Sequence, residues 1–338
     1  MLTLTRIHPR DADWERLDSS RDRVLFQTRE WLDFIATTQR AEPVVAEVRS
    51  RTEHVGYFTG LIVRKYGMRI LGSPFPGWTT DYMGFNLLPH ADRGEAVSAL
   101  ARFAFGTLGC AHLELKDRLL RGEDLVGTRV STTWTMTYEV DLQMDDGELF
   151  GRMSSACRRA IRKAEKMGVT IETADDERFA DDYYAQLEDV FAKQDLVPTY
   201  DVARVHALFR HLGPTGRLLR VRALAPDRRP IASGIFPAFG DTAYFWGGAS
   251  WRADQILRPN EPLFWFAMRY WRDRGMRTLD LGGAGDYKRK YGGREVWVPW
   301  VRRSRYPGLD RMRNLAKTAQ SWKQRRAGAR AADAELVG

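Results

Sequence analysis

One seven-residue spelling occurs twice, each time after a long helical pattern. Gly109-Cys-Ala-His-Leu-Glu-Leu115 and Gly275-Met-Arg-Thr-Leu-Asp-Leu281 both run glycine, three residues, leucine, acid, leucine. The glycine suits the left-handed residue just past a helix end, and leucines two apart share one face of a strand. The elements leading up to this junction repeat as well. Hydrophobic alternation predicts strands over 44–48, 55–64 and 68–71, then a helix over 92–108 and a strand over 112–115. The second half offers strands over 217–223, 231–239 and 242–246, a helix over 260–274 and a strand over 278–281. A helix over 28–40 precedes the first series, and helices over 181–194 and 203–212 precede the second. Further strands are expected over 134–140 and 296–301. The duplicated order argues for two copies of one mixed α/β (α+β) unit. The expected division is 1–145, then 146–305, then a basic C-terminal helix and tail over 306–338.

The length, 338 residues, suits one large or two ordinary domains. No run of 18 apolar residues exists, and residues 1–18 hold no apolar stretch of signal-peptide length, so a cytoplasmic protein is expected. Cys110 and Cys157 form no framework, which fits a reducing compartment, and both read as core residues. The six histidines show no metal-ligand spacing, G-x-S-x-G is absent, and no metal is expected.

The formal charge of +9 is unevenly placed. Residues 301–330 hold ten basic side chains and one acid, while 1–300 carry a net charge of only +2. A second basic concentration lies in the helix expected over 154–168. Met153, Cys157, Ala160, Ile161, Ala164 and Met167 recur at three- and four-residue steps and form its inward face. Arg158, Arg159, Arg162, Lys163 and Lys166 fill the other, against the single acid Glu165. Solvated helices usually mix signs, because like charges at i,i+4 repel. Plain solvation and anion binding are the two readings of this face.

The stretch Leu279-Asp-Leu-Gly-Gly-Ala-Gly-Asp286 has the look of a nucleotide loop after a strand. Lys288 stands where the last glycine of G-x-G-x-x-G belongs, and the 53 residues after Gly285 are too few for a doubly wound sheet. Methyl transfer therefore fails on topology, and the glycines read as a turn that lets backbone approach a ligand. In Tyr287-Lys-Arg-Lys-Tyr291, the two tyrosines would share a face of a helical turn, with Lys288 held beside the first. Residues 309–330 read as an amphipathic helix: Leu309, Met312, Leu315, Ala316, Ala319 and Trp322 form its apolar stripe. Its basic residues suit peripheral contact with anionic membrane, or RNA phosphate.

Together these stretches resemble the Fem family of aminoacyl transferases (FemA, FemB, FemX) and related bacterial acyltransferases with tandem GNAT-like domains. The matching text is Arg158-Arg-Ala-Ile-Arg-Lys-Ala-Glu-Lys-Met-Gly-Val169, Ala243-Tyr-Phe-Trp-Gly-Gly-Ala-Ser250, and Leu279-Asp-Leu-Gly-Gly283 with Tyr287-Lys-Arg-Lys-Tyr-Gly-Gly293. Thr80-Asp-Tyr-Met-Gly-Phe85 is also similar. The resemblance implies transfer of an acyl or aminoacyl group from an ester or thioester onto an amine of a cell-envelope (peptidoglycan) or polysaccharide precursor. The donor would be a cosubstrate, aminoacyl-tRNA or acyl-CoA or an acyl carrier protein, with no resident cofactor. The acceptor would be an anionic small molecule or a lipid-linked precursor.

By the same resemblance Lys288 matches the lysine of F-K-x-x-F-G, whose ammonium would stabilise charge on the ester or leaving oxygen. Arg159, Arg162 and Lys163 would hold substrate or tRNA phosphate. Asp81 is the candidate general base, a carboxylate in an aromatic loop. Tyr82, Tyr244, Trp246, Ser250 and Tyr287 would line a cleft between the two copies. Two departures stand out. The helical insertion of FemA and FemB is missing, and [QR]-x-x-G-x-[GA] precedes neither long helix; Arg252-Ala-Asp-Gln-Ile-Leu-Arg-Pro-Asn260 stands before the second. That weighs against ordinary acetyl-CoA use. A non-catalytic membrane- or RNA-associated protein on a transferase fold is the competing expectation.

Overall fold

The structure, a computed structural model, describes residues 1–306 apart from Gln194 and Ala284, together with Gly308. The amphipathic helix expected over 309–330 lies outside the described residues. Two compact units form: Met1–Thr137 with the chain from Glu295, and Tyr138–Arg294. They divide the chain within a strand at 137/138, not after 145, and the segment from Glu295 groups with the first unit instead of the second.

The first unit contains β1 (Leu2–Ile7), α1 (Trp14–Asp18), α2 (Arg29–Gln39), β2 (Glu42–Ser50), β3 (Glu53–Lys65), β4 (Met68–Ser73), β5 (Gly84–Leu87), α3 (Arg93–Arg102) and β6 (His112–Leu115). The chain leaves it within β7 (Ser131–Asp141). The second unit contains α4 (Asp146–Arg152), α5 (Ser155–Lys166), β8 (Thr170–Thr173), α6 (Phe179–Ala192), α7 (Val202–Leu212), β9 (Leu218–Leu224) and β10 (Pro230–Phe239). It continues with β11 (Thr242–Tyr244), β12 (Gly247–Ser250), α8 (Asn260–Arg272) and β13 (Thr278–Asp280). The last strand is β14 (Arg294–Ser304).

The repeat read from the sequence is a repeat of topology. In the first unit the strands run β1-β2-β3-β4-β6-β14, antiparallel except for the β4/β6 pair, and β5 adds to β3. In the second they run β8-β9-β10-β11-β13 and then the end of β7, antiparallel except for β11/β13, and β12 adds to β10. Strand for strand the orders coincide. Both junction glycines take left-handed backbone, Gly109 at φ +63° and Gly275 at φ +83°. Gly275 N–H donates to Arg272 O at 2.8 Å and Met276 N–H to Trp271 O at 3.0 Å, closing α8 and aiming the chain into β13. After Arg102 the first junction differs from the expected straight helix over 92–108: a π-helical turn, Phe103–Thr107, absorbs the residues before Gly109.

The closing strands are what sequence adjacency conceals. β14 follows β13 in sequence, yet pairs with β6 in the first unit (Val301 opposite Leu115, Ser304 opposite His112). The end of β7 pairs with β13 in the second (Val140 opposite Leu279). Val301 belongs to the core of the first unit with Phe58, Leu71, Phe85, Leu100 and Leu113.

The basic helix forms as expected. Ser154 caps it by accepting Cys157 N–H at 3.2 Å, and Gly168 at φ +78° ends it. Cys157, Ile161 and Ala164 are buried beneath. No helix among the described residues is long and apolar enough to cross a membrane.

A charge placed at Val301 should unfold the first unit from afar. Val301→Asp is expected to cost about 3 kcal/mol or more, an uncompensated buried charge. Hydrogen exchange would show the loss in β4 and β6 while β9 and β10 stay protected.

Candidate active site

In the second unit two parallel strands meet briefly and then part. β11 and β13 pair only over Thr242–Tyr244 and Thr278–Asp280. The last link is Phe245 N–H to Asp280 O at 2.8 Å. The parting has a local cause. Ala243 lies opposite Ala238 of β10, but Gly247 lies opposite Ile235, so one extra residue is held between β11 and β12. That is a β-bulge, which bends the strand and re-aims its groups. Trp251 N–H donates to Ile231 O at 3.1 Å, and this register sends the N–H groups of Gly248 and Ser250 to the opposite edge of β12. Among the described residues β12 pairs with β10 alone. Gly248 is exposed, and a Cβ there would lie 3.0 Å from the Phe245 ring.

Beyond β13 the chain makes the glycine turn. Gly282 adopts φ +67°, and its N–H donates to Asp280 Oδ1 at 2.8 Å. A 3-10 helix, Asp286–Tyr291, brings Lys288 back over the turn. Lys288 Nζ donates to Gly282 O at 3.0 Å and to Gly283 O at 2.9 Å. The side chain is 9% exposed, with Nζ 5.7 Å from the Phe245 ring centre and 5.8 Å from that of Tyr287. Charge-assisted bonds and two ring faces offset the cost of burying this ammonium. The lysine thus clamps the glycine turn at the point where the strands part.

Tyr287 and Tyr291 do not share a face, which corrects the helical-turn expectation. At three residues per turn, positions four apart diverge by about 120°. Tyr291 is 1% exposed and stacks on Phe264 at 4.3 Å, whereas Tyr287 is 53% exposed.

The basic helix is fastened to this turn. Ser154 N–H donates to Lys290 O at 2.9 Å, and a Cβ on Gly292 (φ +81°) would lie 2.8 Å from Arg152 O. Arg158 is spent on the chain entering the helix, donating to Gly151 O at 2.7 Å and Met153 O at 2.5 Å. Arg162 lies 5.3 Å from the Phe150 ring. Arg159, Arg162, Lys163 and Lys166 are exposed and form no ion pair with any described residue. At 100° per residue the five cations fall within an arc of about 140°. Lys288 and the basic face therefore sit on neighbouring elements, the first directed at carbonyls and the second exposed.

The first unit repeats the parting and fills it. There β4 and β5 both pair with β3, and ten extra residues intervene, since Gly72 lies opposite Leu61 and Gly84 opposite Thr59. These residues carry Asp81 and Tyr82. Lys116 N–H donates to Ser73 O at 2.8 Å and Met83 N–H to Lys116 O at 3.1 Å, so the loop returns against the end of β6. Tyr82 is fully buried with Lys116 Nζ 4.8 Å from its ring, and the same ammonium lies 5.6 Å from Trp300.

Several expected cleft-lining residues are core residues. Tyr82 plugs the first unit, and Asp81 is half-buried on the same loop. Tyr244 is 2% exposed, because it ends the paired part of β11. Trp246 packs 5.4 Å from Tyr200 and 6.4 Å from Tyr183. Ser250 Oγ accepts from Asn260 Nδ2 at 3.2 Å and Gln255 Nε2 at 3.4 Å. Phe245, Gly248 and Asp280 do not stand out in the sequence, because the bulge that turns Phe245 toward β13 follows only from the strand register.

The second unit thus joins a split β-strand to a helix and a following parallel strand. Residues 151–290, within the second unit, match the family described as the acetyltransferase (GNAT) domain. Comparison with curated proteins gives no match. Among solved structures the chain is similar to FemX, with a TM-score of 0.69 at 14% identity, covering 87% of this chain and 96% of that one. A tandem GNAT protein from the clavulanic acid biosynthesis pathway gives 0.52 at 11%, covering 91% and 99%. The C-terminal domain of a putative lysylphosphatidylglycerol synthetase from Agrobacterium fabrum gives 0.51 at 13%, covering 77% and 84%. The fold is that of FemX and of tandem GNAT proteins.

Lys288→Met keeps the apolar stem and removes the clamp. The variant is expected to lose about 1.5–3 kcal/mol, the worth of hydrogen bonds from a charged donor, read as a lower urea midpoint with an unchanged slope.

Proposed function

We propose that this chain transfers an acyl or aminoacyl group from an activated ester or thioester to an amine of a cell-envelope or polysaccharide precursor. The observation that carries the proposal is the buried Lys288 ammonium at the parting of β11 and β13. A carbonyl held in that opening faces positive potential and the outward N–H edge of β12. When an amine attacks, negative charge grows on the carbonyl oxygen, and preorganised donors in a dry site stabilise it. The amine of the acceptor is the nucleophile, so no covalent enzyme intermediate is required. Positioning supplies much of the rate.

The start of α8 bears on the donor. Its first turn holds Glu261, 9% exposed and paired with Lys290 at 2.6 Å, so the positive helix end already faces a carboxylate. Nearby Arg252 is bound by Asp189 and Arg229 by Asp254. A pyrophosphate would compete with these acids, which favours aminoacyl-tRNA over acyl-CoA. The exposed cations of α5 suit the tRNA backbone.

A donor screen tests this reading. Purified full-length protein is mixed with charged tRNAs or acyl thioesters and an amine acceptor, and donor loss is followed. Lys288→Met should slow turnover about 100-fold or more. Replacing Arg159, Arg162 and Lys163 together with Gln should raise KM for a tRNA donor, leave kcat unchanged, and flatten the salt dependence by about two. Absence of donor loss throughout, or wild-type turnover in Lys288→Met, would refute the proposal; RNA binding without turnover would support the non-catalytic alternative.

A further inference from the structure

A cavity of about 450 Å³ in the second unit lies against α6 and the turn after β12. Asp182, Gln186 and Asp189 line it at four- and three-residue steps along one helix face, with Trp251, Asp254 and Arg229 opposite. Its charges are unevenly satisfied. Arg229 holds both oxygens of Asp254, at 2.7 and 2.8 Å. Asp189 accepts Arg252 N–H at 2.8 Å and Nε–H at 2.9 Å. Asp182, half-buried, forms no ion pair with any described residue.

Gln186 is the decisive group. It is fully buried in the wall of the cavity, and neither Oε1 nor Nε2 has a hydrogen-bond partner among the described residues. A buried amide left unpaired costs about 1–3 kcal/mol, and native proteins seldom leave both of its atoms so. Its oxygen can accept from a cationic donor, and its nitrogen can donate to an oxygen on the same ligand.

We propose that this cavity binds a primary ammonium group carried next to an oxygen acceptor, as in an amino sugar or an α-amino acyl group. The ammonium pairs with Asp182 and donates a second hydrogen to Gln186 Oε1, while Gln186 Nε2 donates to the neighbouring oxygen. The Trp251 ring borders the cation. The paired arginines add no free positive charge to the wall. The site is defined by binding alone and does not rest on acyl transfer.

Calorimetric titration of the full chain at low salt tests it, with glucosamine and glycinamide as probes and N-acetylglucosamine as the uncharged control. At least one amine should bind saturably, and which one does identifies the carrier. Asp182→Asn and Gln186→Met should each weaken it about tenfold or more, as expected for a lost hydrogen bond to a charged group. Asp182 is only half-buried and unpaired, so its variant reports on binding with the fold intact. Failure of both amines to bind, equal affinity for Asp182→Asn, or equal binding of the acetylated sugar would overturn the proposal.

Discussion

Among the described residues the hydrogen bond from Phe245 N–H to Asp280 O is the last tie between β11 and β13, and the layout of the candidate site in the second unit depends on where it falls. One residue earlier the strands are paired and closed; one residue later they have parted. The bulge sets the position by adding a residue to the strand without adding one to its partner. Asp280 then fixes the turn on the other side through Gly282 N–H, and Lys288 secures it by holding two successive carbonyls. A buried ammonium is costly unless its protons are used, so the lysine and the glycine turn stabilise one another. The result is a lysine ammonium held beside the parted strands.

Both units carry the same strand order, but the residues inserted at the parting differ in number. The second interrupts its split strand with one residue, the first with ten. Ten residues suffice for a loop that returns and packs Tyr82 and Met83 inward. A lysine is buried near each parting. Lys116 is stacked on Tyr82 in the filled one, and Lys288 lies over Phe245 and the glycines in the other. The repeated topology contains two partings, and the number of inserted residues distinguishes them.

The duplicated units and most strands were legible because hydrophobic period and junction glycines are local signals. The helix over 154–168 was legible for the same reason, down to its Ser154 cap and Gly168 end. The destination of β14 was not, since alternation in 294–304 says that a strand forms but not which sheet edge receives it. Lys288 was legible from its motif, but its attachment to Gly282 and Gly283 was not, because that bond depends on a 3-10 turn instead of an α-helical one. Tyr82, Tyr244 and Trp246 look like cleft walls in sequence, but aromatics beside glycines serve equally as core. Gln186 gave no sequence signal at all, because an amide on an amphipathic helix reads as surface until burial is known.

In the proposed reaction the outward edge of β12 receives the acyl donor beside Lys288, and amide exchange at Gly248, followed by NMR against Ala249, tests this most directly. Gly248 N–H should exchange faster than Ala249 N–H in the free protein and become protected when the donor substrate is added. Equal protection of the two amides before addition, or unchanged exchange at Gly248 afterwards, would contradict it.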